Sequence, residues 1–105
     1  MQPSRIPRRD PRAPLYTKVE SQTSHATVIG LTDNISVGGL LVLCGVTFEP
    51  STEVIVRFDL PPRHNVETQG VVVHAQPGLR MGIQFHQLKD EYRKAIAQYV
   101  QQSRE

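Results

Sequence analysis

Tryptophan is absent from this 105-residue sequence, aromatic residues of any kind make up 6%, and there is a single cysteine. With so few large rings, the interior has to be built from Val, Ile and Leu. β-Branched residues fit a pleated, half-buried surface better than a helix, so strands are favoured. The lone Cys44 excludes an intrachain disulfide. Inside the apolar run 39–44 (GLLVLC) it reads as a small buried hydrophobe rather than a metal ligand. No apolar run approaches the roughly 18 residues of a membrane-spanning helix, and the first twenty residues carry arginine and proline where a secretory leader needs an apolar stretch. Cytoplasmic residence is the expectation.

Catalytic signatures are also missing. There is no nucleophile elbow, no glycine loop leading into a helix to cradle phosphate, and no carboxylate pair at a telling spacing, so an enzyme is not expected. His25, His64, His74 and His86 are too scattered to suggest a metal site, and neither metal nor cofactor is expected. Net charge is sparse too, at +2. Yet four of the twelve basic residues, Arg5, Arg8, Arg9 and Arg12, fall within the first twelve positions, offset there only by Asp10. Charge this local suits a compact anionic partner better than a long duplex with its many phosphates, so specific DNA or RNA binding is not expected.

A chain of this length makes one domain, able to bury roughly two-thirds of its unfolded surface. Residues 1–14 hold four prolines among the arginines, which predicts an extended, flexible arm. From Leu15 the pattern alternates with period two, with Leu15, Thr17, Val19 and Ser21 on one face, as a half-buried strand does. Further strands are predicted over 25–31, where Gly30 marks a bulge or a close approach, and over 39–44, 53–60, 66–75 and 81–86. Residues 32–39 between the second and third strands read as a polar turn. From Lys89 the period changes: Tyr92, Ile96, Tyr99 and Val100 recur at helical spacing behind Asp90 and Glu91, predicting a helix over about 89–102. Six short strands and one helix in this order favour a small closed antiparallel barrel spanning 15–105, since closure removes exposed edges.

Two segments carry recognition chemistry. In Arg8-Arg9-Asp10-Pro11-Arg12 two arginines stand four apart on an extended chain, a span of up to about 14 Å, and can reach both sides of a small anion. A guanidinium donates in a fork to phosphate or to the O6/N7 edge of guanine, and its flat face stacks on purines. In Asn34-Ile35-Ser36-Val37-Gly38-Gly39, alternation sets Asn34 and Ser36 side by side to bond a base edge, with Ile35 and Val37 turned to the core. Gly38 and Gly39 would let a ligand approach the backbone. Taken singly, each segment also fits a plainer part: a solvated basic tail, or an ordinary polar turn.

Together, in this order and separation, R-x-x-x-R and N-x-S-x-x-G resemble the two ligand motifs of the PilZ domain family. The run 70–74 (GVVVH) followed by 82–85 (GIQF) resembles that family's last hairpin, and the closing helix fits as well. The resemblance implies a mainly β, six-stranded antiparallel PilZ-type barrel with a C-terminal helix. It also implies that the domain binds the second messenger cyclic di-GMP under an arginine arm and signals through a downstream partner protein. By position, Arg8 and Arg12, assisted by Arg9, would hold phosphates and guanine faces. Asn34 and Ser36 would bond a guanine edge, and Gly38 and Gly39 would keep the floor clear. Arg5 and Arg9 also satisfy R-x-x-x-R; Arg8 and Arg12 are preferred because Ala13-Pro14-Leu15 leads straight into the first strand. Asp33, His74 and Arg80 are further candidates, His74 for stacking. The alternatives are a PilZ-like interaction module that does not bind the nucleotide, and a nonspecific nucleic-acid-binding barrel. Against the latter, no strand carries an aromatic series.

Overall fold

The computed structural model describes residues 10–103. Within them the chain forms β1 (Ala13–Pro14), β2 (Lys18–Gln22), β3 (Thr27–Ser36), β4 (Gly39–Leu43), β5 (Glu53–Leu60), β6 (His64–Gln76), β7 (Arg80–His86) and α1 (Asp90–Ser103). Every strand pairing is antiparallel. The ring runs β3-β2-β5-β6-β7-β4 and closes through a β3–β4 pairing, so six strands make the barrel. Its interior is aliphatic, as the scarcity of rings requires: Val19, Ile35, Leu40, Val42, Val56, Val72, Met81 and Ile83 are all buried. Phe58 and Phe85, stacked with centroids 6.3 Å apart, complete it.

The two-residue β1 adds to β3 next to β2, with Ala13 opposite Ile35 and Pro14 opposite Asn34. The sheet therefore begins inside the segment predicted as an arm, because Ala13 and Leu15 are small and apolar enough to be buried. Between β1 and β2 two backbone bonds, Leu15 amide to Asp33 carbonyl and Thr32 amide to Thr17 carbonyl, keep the chain on β3, and one side chain braces it. The buried Thr32 hydroxyl donates to the Leu15 carbonyl at 2.5 Å and accepts from the Thr17 amide at 2.9 Å.

Residues 32–36, read from sequence as part of a turn, are instead the end of β3, and only Val37 and Gly38 turn. The weak strand propensity of Asp33 and Asn34 is overridden by ladder bonding to β1 on one side and β4 on the other. Gly30 marks a close approach, since a β-carbon there would stand 2.5 Å from the Leu43 carbonyl oxygen.

Two strands carry an extra residue. Along β3 the register against β4 shifts between Thr32 and Asn34, leaving Asp33 over; along β6 it shifts against β7 between Val72 and His74, leaving Val73 over. Each shift reverses the inside–outside alternation beyond it. In β6, Val66, Thr68, Gly70 and Val72 point inward, but His74 is exposed and Ala75 packs on the core.

Helix α1 starts with Asp90 and Glu91, which complement the positive end of its dipole, and buries Ala95, Ile96 and Val100. It lies against β1, β3, β5 and β6. The Tyr99 hydroxyl donates to the Pro14 carbonyl at 2.6 Å, tying the helix to β1. None of the described helices is long and apolar enough to cross a membrane. Because Ile96 is fully buried at this junction, Ile96→Ala is expected to lower unfolding stability by about 2–5 kcal/mol. Urea denaturation checks this as a lower midpoint with an unchanged slope.

Candidate functional site

The two extra residues face each other across β4 and β7, and an open cleft of about 820 Å³ lies between them. Arg12, Asn34, Ser36, Gly38, Gly39, His74 and Arg80, all singled out from sequence, line it. Asp33 stands just behind, accepting a 2.9 Å hydrogen bond from the Asn34 amide. Arg5, Arg8 and Arg9 lie outside the described residues.

Arg12 enters the cleft one residue before β1. Its Nε donates to the Asn34 carboxamide oxygen at 2.5 Å, and an Nη donates to the Ser36 hydroxyl at 3.2 Å. That hydroxyl also accepts the Gly38 amide at 3.1 Å, which closes the turn between β3 and β4 around it. The two sequence segments, more than twenty residues apart, thus meet side chain to side chain. The register shift at Asp33 is the cause: with unbroken alternation Asn34 would follow Thr32 into the core, whereas here Ile35 goes inward and Asn34 and Ser36 face the cleft.

Opposite them, His74 is turned outward by the shift at Val73 and its ring lies over the α-carbon of Gly82, where any side chain would collide with it. At the floor, a β-carbon on Gly39 would run into the Ile83 carbonyl oxygen, so β4 and β7 can approach this closely only through glycine. Arg80 sits at the rim. Its Nε is buried and has no hydrogen-bond partner among the described residues, an arrangement that costs about 1–3 kcal/mol until a partner arrives.

Sequence reasoning missed several lining residues: Asp10, Leu40, Leu41, Val73, Gln76 and Gln84. Gln76 and Gln84 could have been found as polar positions flanking the last hairpin. Leu40, Leu41 and Val73 carry no such signal, being ordinary strand residues until the register is known. Cys44 lies outside the cleft, where burial pushes its thiol pKa up and disfavours the reactive thiolate. No group of three or more His, Cys, Asp or Glu among the described residues could hold a metal ion. The cleft therefore combines two guanidinium groups, three carboxamides, a hydroxyl, a flat imidazole, one carboxylate and close access to backbone. These are the elements for recognising a planar, polar anion.

Comparison with known proteins bears on the family and the fold. The family model for the PilZ domain matches residues 6–102. Among solved structures, the inhibitor of motility MotI/DgrA from Bacillus subtilis superposes with a TM-score of 0.82 at 24% identity, covering 98% of this chain and 56% of that one. The PilZ domain of YcgR from Escherichia coli, with c-di-GMP, gives 0.75 at 8% identity, covering 92% and 91%. PlzA from Borreliella burgdorferi, in complex with c-di-GMP, gives 0.69 at 20%, covering 92% and 41%. The chain thus spans little more than half of the Bacillus protein and less than half of the Borreliella one. At these identities the likeness establishes the fold. No curated protein matches the sequence.

The close approach at the floor makes Gly39 the most substitution-sensitive position of the cleft. Gly39→Ala must push β4 from β7 and is expected to cost about 1–3 kcal/mol, read as a drop of several degrees in the thermal midpoint. An unchanged midpoint would mean that the strands are not in this contact.

Proposed function

The chain belongs to the PilZ domain family, and from that premise we propose that it is a receptor for cyclic di-GMP that passes its signal to a downstream partner protein. The observation that carries the reading is the meeting of Arg12 with Asn34 and Ser36 in one cleft, joining the family's two ligand motifs. Structural neighbours from Escherichia coli and Borreliella burgdorferi in complex with c-di-GMP support the choice of ligand.

The ligand's chemistry suits the site. Cyclic di-GMP brings two negative charges and two purine rings, so it needs cationic forks, flat stacking surfaces and base-edge partners within a small area. Arg8, Arg9 and Arg12 supply forks and faces, or in the other register of R-x-x-x-R the pair is Arg5 and Arg9. His74 and Arg80 provide a flat ring and a further cation on the opposite wall, while Asn34 and Ser36 address a base edge with Asp33 holding the Asn34 amide. Gly38 and Gly39 keep the backbone accessible.

Arg12 is held by the same Asn34 and Ser36 that would bond the base, so the nucleotide would exchange partners that already satisfy one another. The net gain must come from charge and stacking. Closing the N-terminal arm over the nucleotide costs conformational entropy, which these contacts offset only when ligand is present. That coupling turns binding into a changed surface for a partner, in the cytoplasm where the messenger is made. The Bacillus neighbour, named an inhibitor of motility, favours motility among the outputs.

A calorimetric titration with cyclic di-GMP, giving affinity and stoichiometry together, is the direct test. Arg8→Ala and Arg12→Ala should each weaken binding by an order of magnitude or more, with unfolding transitions close to wild type. Ser36→Ala removes one neutral hydrogen bond, about 0.5–1.5 kcal/mol, and should cost two- to tenfold. Wild-type affinity in both arginine variants would remove the site from this cleft.

A further inference from the structure

Among the described residues that line the cleft, Asp10 is the only acid. Its Oδ2 stands 2.6 Å from the point where a β-carbon on Gly38 would sit, and the Ser36 hydroxyl is 3.6 Å from that same point. The carboxylate therefore rests on the turn that joins β3 to β4, two residues before Arg12, and it can do so only because residue 38 has no side chain. Pro11 follows it and holds the backbone at Asp10 extended, so the carboxylate and the Arg12 guanidinium leave the chain at separate points of the same cleft. Among the described residues, no hydrogen bond or ion pair engages the Asp10 carboxylate.

An unpaired negative charge inside a site for a dianion repels its ligand unless it meets donors. Guanine has two adjacent donors on its Watson–Crick edge, N1–H and the N2 amino group, spaced to match the two oxygens of one carboxylate. Adenine presents an acceptor at N1 and would be repelled. Hypoxanthine keeps N1–H but lacks the amino group.

Resting on the receptor reading above, we propose that Asp10 is a specificity-determining residue: its carboxylate accepts from N1–H and N2–H of one guanine while the arginines hold the phosphates. The acid then serves discrimination rather than affinity. Guanine satisfies it, and any base lacking those donors leaves a charged acceptor unpaired beside two phosphates.

The test is calorimetry of the full chain and of Asp10→Ala and Asp10→Asn with cyclic di-GMP, cyclic di-IMP and cyclic di-AMP. The wild-type chain should prefer cyclic di-GMP to cyclic di-IMP by roughly tenfold, the loss of one charge-assisted hydrogen bond, and reject cyclic di-AMP more strongly. Asp10→Ala should bring the first ratio to within about threefold of unity, with Asp10→Asn intermediate because it keeps one acceptor oxygen and loses the charge and the second. Since Asp10 is exposed, the thermal midpoints of both variants should equal that of the wild type. A wild-type ratio retained in Asp10→Ala overturns the proposal and leaves the receptor reading standing. Equal tightening of all three ligands in Asp10→Ala also overturns it, marking Asp10 as a repulsive charge only. A wild-type chain that binds none of the three nucleotides refutes the receptor reading and this proposal with it.

Discussion

One unpaired residue in each of two strands, Asp33 in β3 and Val73 in β6, is the constraint on which the cleft depends. A strand presents alternate residues to alternate faces, so a single extra residue exchanges the faces of everything beyond it. Before the shift in β3, Ile29 and Leu31 face outward and Thr32 is buried; after it, Ile35 is buried and Asn34 lines the cleft. The same reversal carries His74 outward after four inward positions in β6. With regular registers both polar groups would point into an aliphatic core that offers them no partners. The shifts thus keep the core apolar and gather the polar groups on one wall each of a shared depression.

The rest of the molecule fixes this depression in place. β4 and β7 form its floor, and their close contact at Gly39 leaves room for nothing larger. The root of the N-terminal segment is secured by side chains as well as by backbone bonds to β3: the Thr32 hydroxyl reaches Leu15 and Thr17, and Tyr99 of the terminal helix bonds the Pro14 carbonyl. Arg12 therefore springs from an anchored point only two residues from a bond to α1. A change in how Arg12 is held is mechanically close to the helix, and the helix presents its polar face to whatever lies outside.

Scarcity of aromatic residues shapes the recognition chemistry as well as the core. Phe58 and Phe85 are spent on the interior, and neither lines the cleft. The planar groups that do line the cleft are the guanidinium groups of Arg12 and Arg80 and the imidazole of His74, each of which joins a flat face to hydrogen-bonding capacity.

Fold class, the position of nearly every strand, the closing helix and the two polar segments are legible in the chain, because these are local. Alternation, helical spacing and turn residues act over a few positions and are written directly in the chain. The pattern also places Ile35 inward, since a lone apolar residue among polar neighbours has one sensible direction. Where alternation breaks, and what that brings together, comes from packing between strands. The end of β3 looked like a turn because Asp33 and Asn34 are poor strand formers, and pairing partners on both sides overruled that preference. Alternation alone makes His74 one more position of a regular strand, although the family resemblance marks it for stacking, and makes Asp10 an offset to its arginine neighbours. Register is settled by contacts between strands far apart in sequence, so the pattern within one strand cannot reveal it. The cleft is a product of those contacts.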